Sequence, residues 1–242
     1  MSIIYGRNPV KEAIDAGKTF NKIYFQKGSN DLKELKKLAL DKKIVVQEAD
    51  KIRLEKMSET RNHQGVVASI TEYEYSEVDD ILKYAIDKDE PPFIVILDKI
   101  EDPHNLGAII RSCECAGVHG IIIQKRNACQ VNDTAIKTSA GAIEHMKIAR
   151  VTNITETIKK LKHEGLWIYG LDMAGEHTIY ETDFSGPIGI VVGNEGNGIT
   201  RLVKDNCDFI TNIPMKGKIN SLNASVSVAL TVYEVVRQKL MK

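Results

Sequence analysis

Three stretches carry side chains that could do chemistry. One is the glycine loop Gly193-Asn194-Glu195-Gly196-Asn197-Gly198, and a second is Asn220-Ser221-Leu222-Asn223-Ala224-Ser225. The third is Asp102-Pro103-His104-Asn105-Leu106-Gly107, with Arg111 beyond it. A glycine loop first suggests a nucleotide phosphate. The dinucleotide fingerprint, however, needs G-x-G-x-x-G, and this loop reads G-x-x-G-x-G. A phosphate loop ends in Gly-Lys-Ser/Thr, whereas Gly198 precedes Ile199-Thr200. Glu195 in mid-loop would repel a phosphate cradled by backbone N–H groups. A ligand without phosphates, or with a positive centre, suits the loop better. On these residues alone, a tight turn with a solvated Glu195 explains it equally well, Ser221 and Asn223 read as helix caps, and Arg111 reads as a surface arginine.

The flanking elements must place these side chains. Ile188-Gly189-Ile190-Val191-Val192 is a short β-branched run that reads as a buried parallel strand delivering the glycine loop. Residues 209–213 form a second strand, closed by Pro214 and a loop through Met215, and a helix runs from the Asn220–Ser225 stretch to about residue 239. Upstream, strand 93–97 delivers Asp98 to Gly107, helix 108–116 follows, and Gly117 stops it before strand 120–123. The six-residue step from Asn105 to Arg111 spans roughly 9 Å at ~1.5 Å per residue, so both can border one cleft. A helix in 133–142 ends in the small-residue loop Thr138-Ser139-Ala140-Gly141-Ala142, and a helix over 154–162 precedes strand 166–171. Strands alternating with helices predict a mainly parallel sheet covered on both faces. Two polar loops at strand ends are where such a sheet places a ligand.

Residues 1–75 read as a separate small α/β unit. Tyr5-Gly6-Arg7-Asn8-Pro9 is a turn, with Asn8 as helix cap and Pro9 at the first helical position. Strands are expected at 23–25, 44–46 and 65–70, with helices at 32–40 and 51–57. The turn Arg61-Asn62-His63-Gln64-Gly65 reads as an RNA contact or as a solvated turn. Composition then shifts, and Asp89-Glu90-Pro91-Pro92 marks a fresh start, because paired prolines cannot continue a helix. The expected organisation is thus a first domain over 1–75, a linker over 76–92 and a second domain over 93–242.

Composition excludes several classes. The chain has 242 residues, 43% hydrophobic and 27% charged, enough for real cores. No apolar run approaches the roughly 18 residues of a membrane span, and Met1-Ser2-Ile3-Ile4-Tyr5 does not read as a signal peptide. Cys113, Cys115, Cys129 and Cys207 lack zinc-ligand spacing and read as reduced thiols of a cytoplasmic protein, with no metal expected. Formal net charge is zero. Residues 1–75 carry 14 Lys and Arg against 11 Asp and Glu, an excess too small to advertise nucleic acid by itself.

Taken together, Asn105-Leu106-Gly107 with Arg111, Gly193-Asn194-Glu195-Gly196-x-Gly198, and Ile213-Pro214-Met215 with Ser221-Leu222-Asn223-x-Ser225 resemble the three ordered motifs of the SpoU-type, TrmH-like RNA 2′-O-ribose methyltransferases. The likeness spans 93–242. Tyr5-Gly6-x-x-x-Val10 with Glu12-Ala13-Ile14 is similar to the small RNA-binding domain that many members carry in front. The resemblance implies a C-terminal trefoil knot, against the usual unknotted rule, together with S-adenosylmethionine as cofactor and a homodimer. The apolar residues of the last helix before Arg237 fit burial against its own domain or a partner.

By the same resemblance, Gly193, Ile213 and Leu222 line the cofactor pocket through backbone groups, with Asn194, Gly198, Met215, Ser139 and Gly141 close by. Asn105, Arg111, Glu195, Ser221 and Asn223 form the catalytic set. In the family the arginine matching Arg111 has been proposed to accept the hydroxyl proton. A guanidinium is a poor proton acceptor, which favours a different role, holding RNA phosphate and stabilising the developing alkoxide. Glu195 is expected to orient Arg111 or Asn105 rather than act as base. The two-domain length looks most like the ribosomal RNA group, with a guanosine of large-subunit (23S) rRNA as target. A transfer-RNA enzyme and a non-catalytic RNA-binding relative are the alternatives.

Overall fold

A computed structural model describes residues 2–70, 73–218 and 221–241. The chain divides into two compact units, Met1–Glu74 and Tyr75–Lys242.

The first unit is a four-stranded mixed sheet. Strands β1 (Ser2–Tyr5), β2 (Phe20–Gln26), β3 (Val46–Ala49) and β4 (Val66–Ile70) lie in the order β1-β4-β2-β3. β4 pairs antiparallel with β1 and β2, and β2 pairs parallel with β3. Helices α1 (Arg7–Asp15), α2 (Lys33–Asp41) and α3 (Lys51–Ser58) complete it. Val10, Ile23 and Val66 are fully buried at its centre. Asn8 is not the cap expected of it. Gly6, at φ 93°, precedes the helix, and Pro9 falls at the third position, where its missing N–H has no helical partner to lose. His63 is no surface contact either: it is buried, and its Nδ1 accepts from the Gly65 N–H at 3.0 Å. Arg61, Asn62 and Gln64 of the same turn are exposed.

The second unit is built on seven parallel strands: β5 (Phe93–Asp98), β6 (Gly120–Gln124), β7 (Lys147–Val151), β8 (Trp167–Leu171), β9 (His177–Thr178), β10 (Ile188–Gly193) and β11 (Phe209–Asn212). Their order is β7-β6-β5-β10-β8-β11-β9, and every pairing is parallel. Central strands of such a sheet need apolar residues on both faces, and all six residues of β5 and of β10 are buried. Ile94 and Ile96 join a cluster with Val78 and Ile81 of α4 (Val78–Asp87), Ile158 of α7 (Ile154–His163) and Val203 of α8 (Arg201–Lys204). Their neighbours Phe93, Val95 and Leu97 point to the opposite face. α9 (Ala224–Leu240) packs on β10 and against α5 (Pro103–Cys115). α6 (Asp133–Thr138) packs on α5 as well.

Residues 76–92, expected as a linker holding a short helix over 78–86, carry that helix, and it belongs to the second unit. Val78, Ile81 and Ala85 of α4 are buried, and the first two side chains each contribute roughly 1.5–3 kcal/mol that a free linker would forgo. The strand order holds one unusual crossing. β11, late in the chain, lies between β8 and β9, so their connector 172–176 passes over it. Gly175 O there accepts from Asn212 Nδ2 at 2.8 Å. Among the described residues, no helix is long and apolar enough to cross a membrane.

Candidate active site

β5 and β10 are neighbours, while β6 and β7 continue from β5 one way and β8 lies on the other side of β10. Loops leaving the carboxyl ends of such a pair diverge and open a crevice. The local sequence shapes it. Gly193, the last residue of β10, sits in register with Asp98 at the end of β5. The loop turns back at once: the Gly198 N–H donates to Asn194 O at 2.7 Å, and the Gly196 N–H to Asn194 Oδ1 at 2.9 Å. A Cβ on Gly193 would stand 2.1 Å from Gly198 C and O, so only glycine fits. Gly198 takes φ 62°, the left-handed region. Fully buried Asp98 fastens the far end, its Oδ2 accepting from both N and Oγ1 of Thr200 at 2.7 Å.

Against this loop lies a cavity of about 360 Å³. Gly193, Asn194, Gly198, Ile213, Met215 and Leu222 line it, as do Glu195 and Ser221. Ser139 and Gly141 do not. Ser139 is buried, its Oγ donating to Ile136 O at 2.7 Å, and Gly141 leads into a 3-10 turn at Ala142–Glu144 that packs on α5. Asn220 lies outside the described residues. Asp172 and Met173, after β8, line the cavity and belong to none of the three motifs. Burial raises the Asp172 carboxyl, but Lys204 and the Ala174 N–H outweigh it and hold it below the ordinary carboxylate range. Among the described residues, no lysine or arginine lines the cavity, and two carboxylates do. Lys204 offsets the charge of Asp172, so Glu195 is the carboxylate that suits a cationic ligand and opposes a phosphate.

A hydrogen-bonded network ties the three motifs beside the cavity. Asn105, buried in the first turn of α5, donates through Nδ2 to Glu195 Oε1 at 2.5 Å. Asn223 Nδ2 donates to Asn105 Oδ1 at 2.8 Å and to Glu195 Oε1 at 3.1 Å. The Ala224 N–H approaches the same oxygen at 3.3 Å. Asn223 also caps α9, its Oδ1 accepting from Ser225 N at 3.0 Å and Ser225 Oγ at 2.6 Å. The cap and the site are thus one residue with its two amide ends divided between them. Glu195 orients Asn105 and Asn223, and it makes no ion pair with Arg111. Arg111 is exposed and has no partner among the described residues. A six-residue step turns about 600° at roughly 100° per residue, which leaves it about 120° around the axis from Asn105. His104 is exposed, its Nδ1 at 3.5 Å from Thr138 Oγ1.

Known proteins resemble this chain along nearly its whole length. The family model for SpoU rRNA methylases matches residues 92–233, and that for RNA 2′-O ribose methyltransferase substrate binding matches residues 3–76. A relative described as a TrmH family tRNA/rRNA methyltransferase of Staphylococcus saprophyticus is 45% identical over 98% of this chain and 96% of its own length. The crystal structure of the SpoU methyltransferase AviRb from Streptomyces viridochromogenes, in complex with AdoMet, aligns over 99% of this chain and 91% of its own. Its TM-score is 0.64 at 23% identity, a likeness of fold. A TrmH/SpoU tRNA modifying enzyme of A. aeolicus aligns at TM-score 0.58 and 28% identity, over 63% of this chain and 77% of its own. With both units matched and the three motifs tied together beside one cavity, the chain belongs to the SpoU family of RNA methylases.

Proposed function

We propose that the chain transfers a methyl group from S-adenosylmethionine to a ribose 2′-oxygen of RNA, with a guanosine of large-subunit (23S) rRNA as target. The observation that carries this is the Asn105–Glu195–Asn223 network at a cavity with carboxylates and no basic residue on its walls. The cavity fits the cofactor: Gly193 and Gly198 leave part of its wall without side chains, and its size lies at the small end of ligand pockets. Gly193, Asn194, Gly198, Ile213, Met215 and Leu222 would hold the adenosyl group. S-adenosylmethionine supplies a methyl on a cationic sulfur. The O–CH₃ bond forms as S–CH₃ breaks, sulfur keeps the electron pair, and the hydroxyl proton passes to water.

The residues of the chain position the acceptor. Glu195, held at one oxygen, keeps the Asn105 and Asn223 amides fixed, and Ser221 borders the ribose. Arg111 holds an RNA phosphate and stabilises charge developing on the ribose oxygen. A ribosomal rather than transfer-RNA substrate is supported by the front unit, matched by a substrate-binding model, whereas the A. aeolicus tRNA modifying enzyme aligns with only 63% of the chain. The homodimer belongs to the same proposal. Val226, Leu230 and Tyr233, at i, i+4 and i+7 on α9, are 44%, 39% and 50% exposed, an apolar stripe that a second copy would cover. The implied trefoil knot draws support from β11 lying under the 172–176 connector. We place the protein in the cytoplasm, with its RNA.

Calorimetry with S-adenosylhomocysteine beside NAD tests the cofactor, repeated with ribosomal RNA fragments present. Binding of the first alone is expected. Mapping of ribose methylation in rRNA and tRNA from a deletion strain then tests the substrate. A mark missing from tRNA alone would overturn the ribosomal assignment, and no missing mark with intact cofactor binding would favour a non-catalytic RNA-binding relative.

A further inference from the structure

Asp172 follows β8 directly and faces the cavity, and two of its partners, Lys204 and Thr211, come from distant parts of the chain. Its Oδ1 accepts from Lys204 Nζ and from the Ala174 N–H, each at 2.9 Å. Its own N–H donates to Thr211 O of β11 at 2.9 Å, which fixes the backbone beneath it. Oδ2 takes no donor among the described residues. That oxygen stands 3.5 Å from the point a Cβ on Gly198 would occupy, so it points at a stretch of wall that is bare backbone.

A carboxylate oxygen only accepts, and it has lone pairs for two donors. Its complement is a pair of adjacent hydroxyls. Lys204, on α8, offsets the negative charge, so hydrogen bonding rather than net charge decides what this oxygen selects. The carboxyl held below its ordinary range keeps the group ionised and accepting at neutral pH. Lys204 follows the glycine loop by a few residues, so one segment builds the bare wall and locks the acceptor that faces it. We propose that Asp172 is a further binding residue of this site, its free Oδ2 accepting hydrogen bonds from the ribose 2′- and 3′-hydroxyls of the S-adenosyl group. The assignment rests on the cofactor reading above, and it adds a charged side chain to the contacts proposed there.

Calorimetry with two ligands tests it: S-adenosylhomocysteine and its analogue lacking both ribose hydroxyls. Wild type is expected to bind the analogue at least about tenfold more weakly, the scale of losing charge-assisted hydrogen bonds. Asp172→Asn, whose fold is checked by circular dichroism melting, is expected to weaken S-adenosylhomocysteine by about tenfold and leave the analogue within about twofold. Equal binding of the two ligands by wild type overturns the proposal without any variant. Equal loss of both ligands in Asp172→Asn also overturns it, since the residue would then act through Lys204 and the loop. If wild type binds neither ligand, with or without RNA, the cofactor reading itself falls and this assignment falls with it.

Discussion

Replacing the three glycines of the 193–198 loop by alanine, one at a time, should give a graded series. The added atom is the same each time, but what it meets differs. At Gly196 the nearest atom to a new Cβ is Asn194 Oδ1 at 3.3 Å, a side chain able to give by a few tenths of an ångström. Gly196→Ala is expected to cost less than ~0.5 kcal/mol, as surface changes do. At Gly198 there is room, with Asp172 Oδ2 at 3.5 Å, but the backbone sits at φ 62°. Alanine in the left-handed region costs roughly 1–2 kcal/mol. At Gly193 the new Cβ would lie 2.1 Å from Gly198 C and O and 2.3 Å from Ile199 N. Those are backbone atoms, and the strand cannot move because Gly193 is buried and paired with Asp98. The loop must open instead, at a cost of ~3 kcal/mol or more. With about 2–4 °C per kcal/mol for a unit of this size, the melting points should fall by roughly 0–2, 2–8 and more than 6 °C. Circular dichroism melts read the stability, and S-adenosylhomocysteine titration reads the site. Gly193→Ala should lose binding at every temperature at which it is still folded. A Gly193→Ala protein that melts and binds like wild type would refute the claim that the turn-back of 194–198 onto β10 builds the cavity.

Arg111→Ala should leave the melting point unchanged, since the exposed side chain has no partner here, while kcat falls by about 10²–10³, the usual loss of one transition-state donor. Near-full activity in Arg111→Lys would show that charge, not the planar fork, is needed. Asn105→Ala should cost about 1–3 kcal/mol, because it strips Asn223 of an acceptor and Glu195 of its shortest donor. Asn105→Asp should be worse than Ala at pH 7, as it places a second carboxylate against Glu195. One of that pair would have a raised pKa, so the deficit should shrink as pH falls and a proton is shared. An Asp variant no less stable than the Ala variant at pH 7 would show the 105–195 contact to be unimportant. Burial pushes the Cys129 and Cys207 thiols up to about 12 and raises Cys113 as well, whereas Cys115 is exposed. A disulfide reagent at pH 8 should therefore titrate one thiol in the native protein and four after unfolding.

Much of the site was legible because its residue types have few other uses. A glycine loop in the wrong order for phosphate, with a carboxylate inside it, already excluded the common nucleotide folds, and the cavity carries no basic residue. What failed was mostly local. α5 starts at Pro103, five residues before the expected 108, although Asp102 before Pro103 is a cap followed by a first-turn proline. β7, Lys147-Ile148-Ala149-Arg150-Val151, escaped because the charges that protect an edge strand also hide its pattern. α8 and β9 are too short to show any period. Asp172 had no signal at all. Its lysine partner lies 32 residues on, and its role follows only from β10 and β11 being inserted beside β8 after the chain has moved away.

Arg111 marks the point where residues that are grouped in sequence separate in space. The network of Asn105, Glu195 and Asn223 is preorganised, each amide held at both ends. Arg111, on the same helix, is held by nothing among the described residues, and an untethered guanidinium contributes little to positioning. In the proposed function the RNA phosphate supplies the opposite charge that brings Arg111 into register with the network. Cofactor binding and turnover should then come apart. Arg111→Ala should bind S-adenosylhomocysteine with wild-type affinity while its rate on RNA collapses, and Gly193→Ala should lose both. If Arg111→Ala weakened cofactor binding as well, the guanidinium would have to reach the cavity unaided, and the division of the site into a rigid pocket and a recruited arginine would be wrong.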